Sequence, residues 1–254
     1  MVAGLEHFRA YFAAYQDNYV LIGGVACYLM FEEAGLDFRA TKDLDIVLCS
    51  EALSTDFVAY FWQYVKDGGY QIRQKSSGEK QFYRFDKPSV DGFPAMLELF
   101  SRAPQQLDLA GDASLTPLPV DDDVSSLSAI LLDDDYYQCI AQGREIIRDV
   151  PVLGLGYILP FKVKAWLDLS QRKTSGESVD SKVIKKHLND VFRLSQLLAS
   201  DYRVELTAAV RNNMHTFIEA MANGQAPVLK DLGIAGDVDD VLDVLRRVYQ
   251  TESS

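Results

Sequence analysis

Two acids one residue apart in an otherwise apolar stretch, Asp43-Leu44-Asp45-Ile46-Val47-Leu48-Cys49, constrain this chain more than any other feature. Read as a strand over 43–49, the stretch turns both carboxylates to the same face, because strand side chains alternate. Two carboxylates held so close repel each other unless a cation neutralises them, so the pair can share one divalent metal.

Upstream, Tyr19 to Ile22 reads as a short apolar strand, Gly23-Gly24 as a turn, and Val25 to Glu33 as a helix with Ala26, Leu29 and Met30 on its apolar face. Strand, glycine turn, helix and carboxylate strand follow one another as in a nucleotide-handling α/β unit. Glycines at a strand-to-helix junction let phosphate oxygens approach the backbone and meet the positive end of the helix. Taken singly, the acid pair fits a solvated strand edge and the glycines a plain turn; their joint order is what separates the readings.

Leu5, Phe8, Phe12 and Tyr15 recur at helical spacing, so the chain starts with an amphipathic packing helix. Phe57 to Val65 reads as an aromatic helix ending at Gly68-Gly69, and 70–75, 81–86 and 95–101 as three further strands, with 76–80 a polar hairpin connection. A mixed sheet of about five strands follows. The Pro-, Gly- and Asp-rich stretch 104–123 is a long surface connection. After Pro160 the pattern is helical nearly to the end, over 161–172, 181–199, 203–222 and 238–249, with breaks near Gly176, Gly224 and Gly236. The expected architecture is α+β: a mixed sheet with flanking helices over 1–155, then a helical C-terminal subdomain over 156–254 that closes over it, with the active site in the cleft between.

Glu98 is a lone acid in the apolar run Met96-Leu97-Glu98-Leu99-Phe100, where an unpaired buried charge costs several kcal/mol. A metal shared with Asp43 and Asp45 is an economical partner for it. Three carboxylates and a triphosphate suit Mg²⁺, or Mn²⁺, which prefers about six oxygens and keeps substrate phosphates in its shell. In-line attack on an α-phosphorus, with pyrophosphate leaving, is then the natural reaction.

Composition narrows the field. With 25 basic and 37 acidic residues the net charge is -12, against a nucleic-acid binder that uses its whole surface. The segment 162–193 runs the other way, with eight basic and four acidic residues. Cys27, Cys49 and Cys139 lie among apolar neighbours without metal or redox spacing and read as core residues of a reducing compartment. No run approaches the roughly 18 apolar residues of a membrane span, and the expected location is the cytoplasm. The acidic runs 121–123 and 133–135 read as solvated faces or helix caps. His7, His187 and His215 are too scattered for a histidine site.

Two stretches carry a resemblance. Leu21-Ile22-Gly23-Gly24-Val25-Ala26 followed by Arg39-Ala40-Thr41-Lys42-Asp43-Leu44-Asp45-Ile46 resembles the first motif of the AbiEii-type nucleotidyltransferases, in which Gly-Gly and a helix precede Arg-x-Ser/Thr-x-Asp-Leu-Asp. Leu159-Pro160-Phe161-Lys162-Val163-Lys164-Ala165-Trp166 and Lys185-Lys186-His187-Leu188-Asn189-Asp190-Val191-Phe192-Arg193-Leu194 resemble that family's later lysine and aspartate motifs. Gly24 stands where many relatives carry serine, so a backbone N–H would replace a hydroxyl there.

The resemblance implies a nucleotidyltransferase-like fold that moves a nucleoside monophosphate from an NTP to an RNA or protein acceptor. Asp43, Asp45 and Glu98 would hold the metal, with Lys164 and Asp190 completing the catalytic set. Gly23, Gly24, Arg39, Thr41, Lys164 and Lys186 would contact the nucleotide. Similar proteins act as toxins of toxin-antitoxin or phage-defence systems, which makes an antitoxin protein a possible partner. Lys164 with Asp168 and Lys186 with Asp190 are also spaced as simple surface ion pairs. Two other readings stay open: a nucleotidyltransferase fold that only binds, and an aminoglycoside-type enzyme acting on a small molecule.

Overall fold

In the computed structural model the described residues are 2–39, 41–49, 52–74, 82–102, 130–131 and 133–251. The chain divides into two compact units, one from Met1–Val120 with Arg144–Leu153, the other from Asp121–Gly143 with Gly154–Ser254. Among the described residues no helix is long and apolar enough to cross a membrane.

The first unit is built on a mixed sheet. Its strands are β1 (Tyr19–Ile22), β2 (Asp43–Leu48), β3 (Gln71–Gln74), β4 (Phe82–Asp86), β5 (Met96–Phe100), β6 (Arg144–Ile147) and β7 (Val150–Leu153), in the order β3-β4-β5-β2-β1-β7-β6. β2 runs parallel to β5 and β1 parallel to β7, while the other neighbouring pairs are antiparallel. Every residue of β1 is buried, as expected for a strand paired on both edges and covered on both faces.

Helices α1 (Leu5–Tyr11), α2 (Gly23–Glu33) and α3 (Thr55–Asp67) belong to this unit. The first helix stops at Tyr11 and goes on as a 3₁₀ turn over Ala13–Asn18, so Phe12 and Tyr15 fall outside the regular helix. α3 starts where Ser54 accepts a hydrogen bond from the Phe57 N–H, a standard N-cap. Its Phe57, Phe61 and Tyr64 rings join those of Phe8 and Phe12, and Trp62 meets Tyr83 and Phe85 of β4 edge-on. Each buried aromatic contributes roughly 1.5–3 kcal/mol of hydrophobic stabilisation. α3 therefore covers the sheet face bearing Leu44, Leu97 and Phe85.

The sequence pointed to about five strands; among the described residues β6 and β7 complete seven. Their turn, Arg148-Asp149, has both residues at positive φ (50° and 60°) without the glycine that would advertise it. Tertiary contacts hold it instead: Arg9 donates to the Arg148 carbonyl at 3.2 Å, Gln16 to the Asp149 carbonyl at 2.7 Å, and Arg148 pairs with Glu32 at 3.0 Å. The connections expected at 76–80 and 104–123, and the acidic run 121–123, lie outside the described residues. In the run 133–135, Asp133 accepts from the Asp135 N–H at the start of α4 (Asp134–Gly143), as a helix cap does.

The second unit is helical: α4, α5 (Leu155–Thr174), α6 (Ser181–Ser195), α7 (Ala208–Ala220) and α8 (Val238–Tyr249). α5 does not begin after Pro160 as the sequence suggested but five residues before it, with Pro160 inside. A proline there removes the N–H that would bond the carbonyl of Gly156. The buried Tyr249 hydroxyl donates to that carbonyl at 2.9 Å, so the helix continues without an orphaned acceptor. Gly156 is itself required, since a Cβ there would lie 2.7 Å from the Tyr202 hydroxyl and from Val204.

Candidate active site

With Leu44, Ile46 and Leu48 buried on the α3 side, alternation turns Asp43 and Asp45 to the opposite face of β2. Strand register does the rest. Asp45 stands opposite Glu98 on β5, and Glu98 opposite Arg84 on β4, so three charged residues form one row across the sheet. Asp43 is one pair further along the same face, opposite Met96.

Glu98 is 7% exposed. Arg84 reaches its Oε1 with both Nε (2.8 Å) and Nη2 (2.7 Å), and Asp45 hydrogen-bonds to it from the other side. Two carboxylates in hydrogen-bond contact share a proton, because both cannot be ionised at that separation without compensation. Burial pushes the Glu98 carboxyl up to about 9, the Asp45 charge and hydrogen bond push the same way, and the Arg84 guanidinium opposes them. One guanidinium thus balances one of two carboxylates. The second negative charge is held off by a proton, the role a hard cation would take over. Among the described residues no three His, Cys, Asp or Glu side chains gather into a metal-binding cluster; the contact pair is Asp45 and Glu98.

The glycines abut this pair. Gly23 has φ +66°, a left-handed conformation suited to glycine, and a Cβ there would collide with the Asp45 carboxylate. A Cβ on Gly24 would come 2.5 Å from the Thr41 hydroxyl. The two glycines are therefore the places where the carboxylate and the hydroxyl pack against the start of α2. That helix starts without a side-chain cap, after an extended Ile22. Its first-turn N–H groups are the kind that bind anions. Arg39 is half-buried, with its guanidinium carbon 5.3 Å from the centre of the Phe38 ring.

The later-motif residues lie in the second unit. Lys164 pairs with Asp168 one turn on, at 2.7 Å, each about a quarter exposed. Asp190 is completely buried and pairs with Lys162 of α5 at 3.1 Å. Lys186 is half-buried on α6. The structure thus joins Gly23, Gly24, Thr41, Asp45 and Glu98, and separately pins Asp190 to Lys162.

One residue and one pairing escaped the sequence reading. Arg84 could have been found: it alternates with the buried Tyr83 and Phe85 of β4, on the same face as Glu98. Lys162 sits between Phe161 and Val163 in an apolar run, and nothing local ties it to Asp190.

No family model matches the chain, and no curated protein does. Among solved structures it is similar to an antigenic nucleotidyltransferase-like protein from Paracoccidioides brasiliensis, at 13% identity over 94% of this chain and 98% of that one, with a TM-score of 0.42. It is also similar to the Cid1 poly(U) polymerase (12%, 88% and 67%, TM-score 0.33) and to a cytoplasmic RNA terminal U-transferase (11%, 97% and 63%, TM-score 0.33).

Proposed function

We propose that the chain is a nucleotidyltransferase that moves a nucleoside monophosphate from an NTP to an acceptor, releasing pyrophosphate. The observation that carries this reading is the hydrogen-bonded Asp45–Glu98 pair lying against the uncapped, glycine-built start of α2. A carboxylate pair short of one positive charge, beside backbone N–H groups suited to phosphate, fits a triphosphate accompanied by a hard cation.

Asp45 and Glu98 would hold Mg²⁺ or Mn²⁺, with Asp43 a further carboxylate on the same face. When bound, the cation would offset the charge of the triphosphate and the departing pyrophosphate. The chain's own residues supply the rest. First-turn N–H groups of α2 and the Thr41 hydroxyl take phosphate oxygens. Arg84 fixes the orientation of Glu98, which serves either as a further ligand or as the base for the acceptor hydroxyl. The roles of Arg39, Lys164, Lys186 and Asp190 rest on the sequence resemblance, as does membership of the AbiEii-type family with its toxin and antitoxin setting. RNA is the acceptor favoured by the basic segment 162–193, with protein the alternative.

One observation favours a second reading, a fold that binds nucleotide without transferring it: Glu98 is already engaged by Arg84 on two hydrogen bonds. Incubation with each α-labelled NTP, Mg²⁺ or Mn²⁺, and total RNA or cell lysate decides between them. Acceptor labelling with pyrophosphate release, abolished in Asp45→Asn, is expected. Nucleotide binding without release of pyrophosphate under any condition would establish the binding-only fold.

A further inference from the structure

The second unit carries a hollow of about 440 Å³ lined by Trp166, Ser170 and Lys173 of α5 and Ser181, Lys185 and Leu188 of α6. An α-helix turns about 100° per residue, which places Trp166 and Lys173 roughly 160–180° around α5 from Lys164. The hollow therefore opens on the side of α5 turned away from the lysine assigned to the substrate triphosphate.

Its charge is unbalanced. Of the four acids in 162–193, Asp190 pairs with Lys162, Asp168 with Lys164 and Glu177 with Arg172. The fourth, Asp180, caps α6 by accepting from the Lys182 N–H. Among the described residues Lys173 and Lys185 form no ion pair, and Lys173 donates to the Ser181 hydroxyl within the hollow. Among the described residues no carboxylate lines the cavity.

We propose that this hollow binds a phosphate ester, seating the phosphate on Lys173, Lys185 and the hydroxyls of Ser170 and Ser181, with its organic part against Trp166 and Leu188. Lysine is a point-charge partner for phosphate, and hydroxyls complete its hydrogen bonds. The volume lies within the range of small-molecule sites, and the apolar floor suits an ester better than a naked ion. The ester is either a free nucleotide or one phosphate of a nucleic-acid strand. This assignment does not depend on nucleotidyl transfer at Asp45 and Glu98.

The test is calorimetric titration of the full chain, at low salt with chelator present, with inorganic phosphate, a nucleoside, its 5′-monophosphate and a short single-stranded oligonucleotide. Lys173→Ala/Lys185→Ala and Lys185→Glu are the variants, with Lys66→Ala, at an exposed lysine of the first unit, as the control. Binding of the monophosphate or the oligonucleotide, weakened roughly tenfold or more in the lysine variants and unchanged in the control, is expected. Saturation by the monophosphate identifies a nucleotide site, and binding of the oligonucleotide alone a strand site. The proposal fails if no ester binds, if inorganic phosphate or the nucleoside binds as well as the esters, or if the lysine variants bind like the parent while melting at the same temperature.

Discussion

Asp45→Asn should change how the stability of the first unit depends on pH, and the structure sets the size of the change. Below pH 4.5 Glu98 is protonated whether the chain is folded or not. Above it the unfolded chain loses that proton, while the folded chain keeps it up to about 9. Stability therefore declines as pH rises through this window and levels off above it. Each pH unit of the window is worth about 1.4 kcal/mol at most. Between pH 6 and 8.5 the decline is then at most about 3 kcal/mol, roughly 6–12 °C in melting temperature for a chain of this size. Asn at position 45 removes two of the three influences that raise Glu98, leaving burial opposed by Arg84. The variant should lose less than the wild type loses over the same range. Thermal melts of both proteins at matched ionic strength, without divalent metal, measure this. Groups elsewhere titrate alike in the two proteins and cancel in the comparison. Parallel pH profiles would refute the shared proton. Mg²⁺ should raise the wild-type melting temperature more at pH 8.5 than at pH 6, because the proton it must displace is held less tightly as the pH approaches 9.

Breaking the Lys162–Asp190 pair by Lys162→Met or Asp190→Asn should cost about 3–5 kcal/mol in denaturant unfolding, because either change removes one half of a buried ion pair. Lys164→Met, at a part-exposed pair, should cost less than about 1 kcal/mol. Tyr249→Phe should destabilise the second unit by about 1–3 kcal/mol by orphaning the Gly156 carbonyl, and much of that loss should return when Pro160→Ala restores the backbone donor. A double-mutant cycle in which the two changes simply add would rule out this coupling. Gly23→Ala should cost about 1–2 kcal/mol for its left-handed φ and should also displace Asp45, so pyrophosphate release should fall by more than stability does.

Much of the carboxylate row could be read in advance because it depends on local pattern. Alternation puts Asp43 and Asp45 on one face, and a lone acid in Met96–Phe100 announces a charge in need of a partner. What was not legible depends on register and on distant chain. Nothing within a few residues of Glu98 states that Arg84 lies opposite it, and nothing local to Asp190 states that Lys162 meets it. The β6–β7 hairpin was missed for a related reason. Its turn is Arg-Asp instead of a glycine turn, β7 contains Pro151, and contacts from Arg9, Gln16 and Glu32 hold what local propensity does not. Pro160 misled in the same way: a helix breaker by local rules is tolerated because Tyr249, at the end of α8, supplies the missing donor.

The placement of β7 against β1 bears on how the sheet is completed during synthesis. Leu21 must wait for Val152, so until the ribosome has delivered the hairpin, β1 is an edge strand of four apolar residues with unsatisfied backbone groups along one side. Such an edge is a template for pairing with another chain. Fragments ending before residue 144 should therefore aggregate through β1 even though they retain Asp45, Glu98 and the glycines, and the hairpin is a guard against self-association as much as a piece of the scaffold.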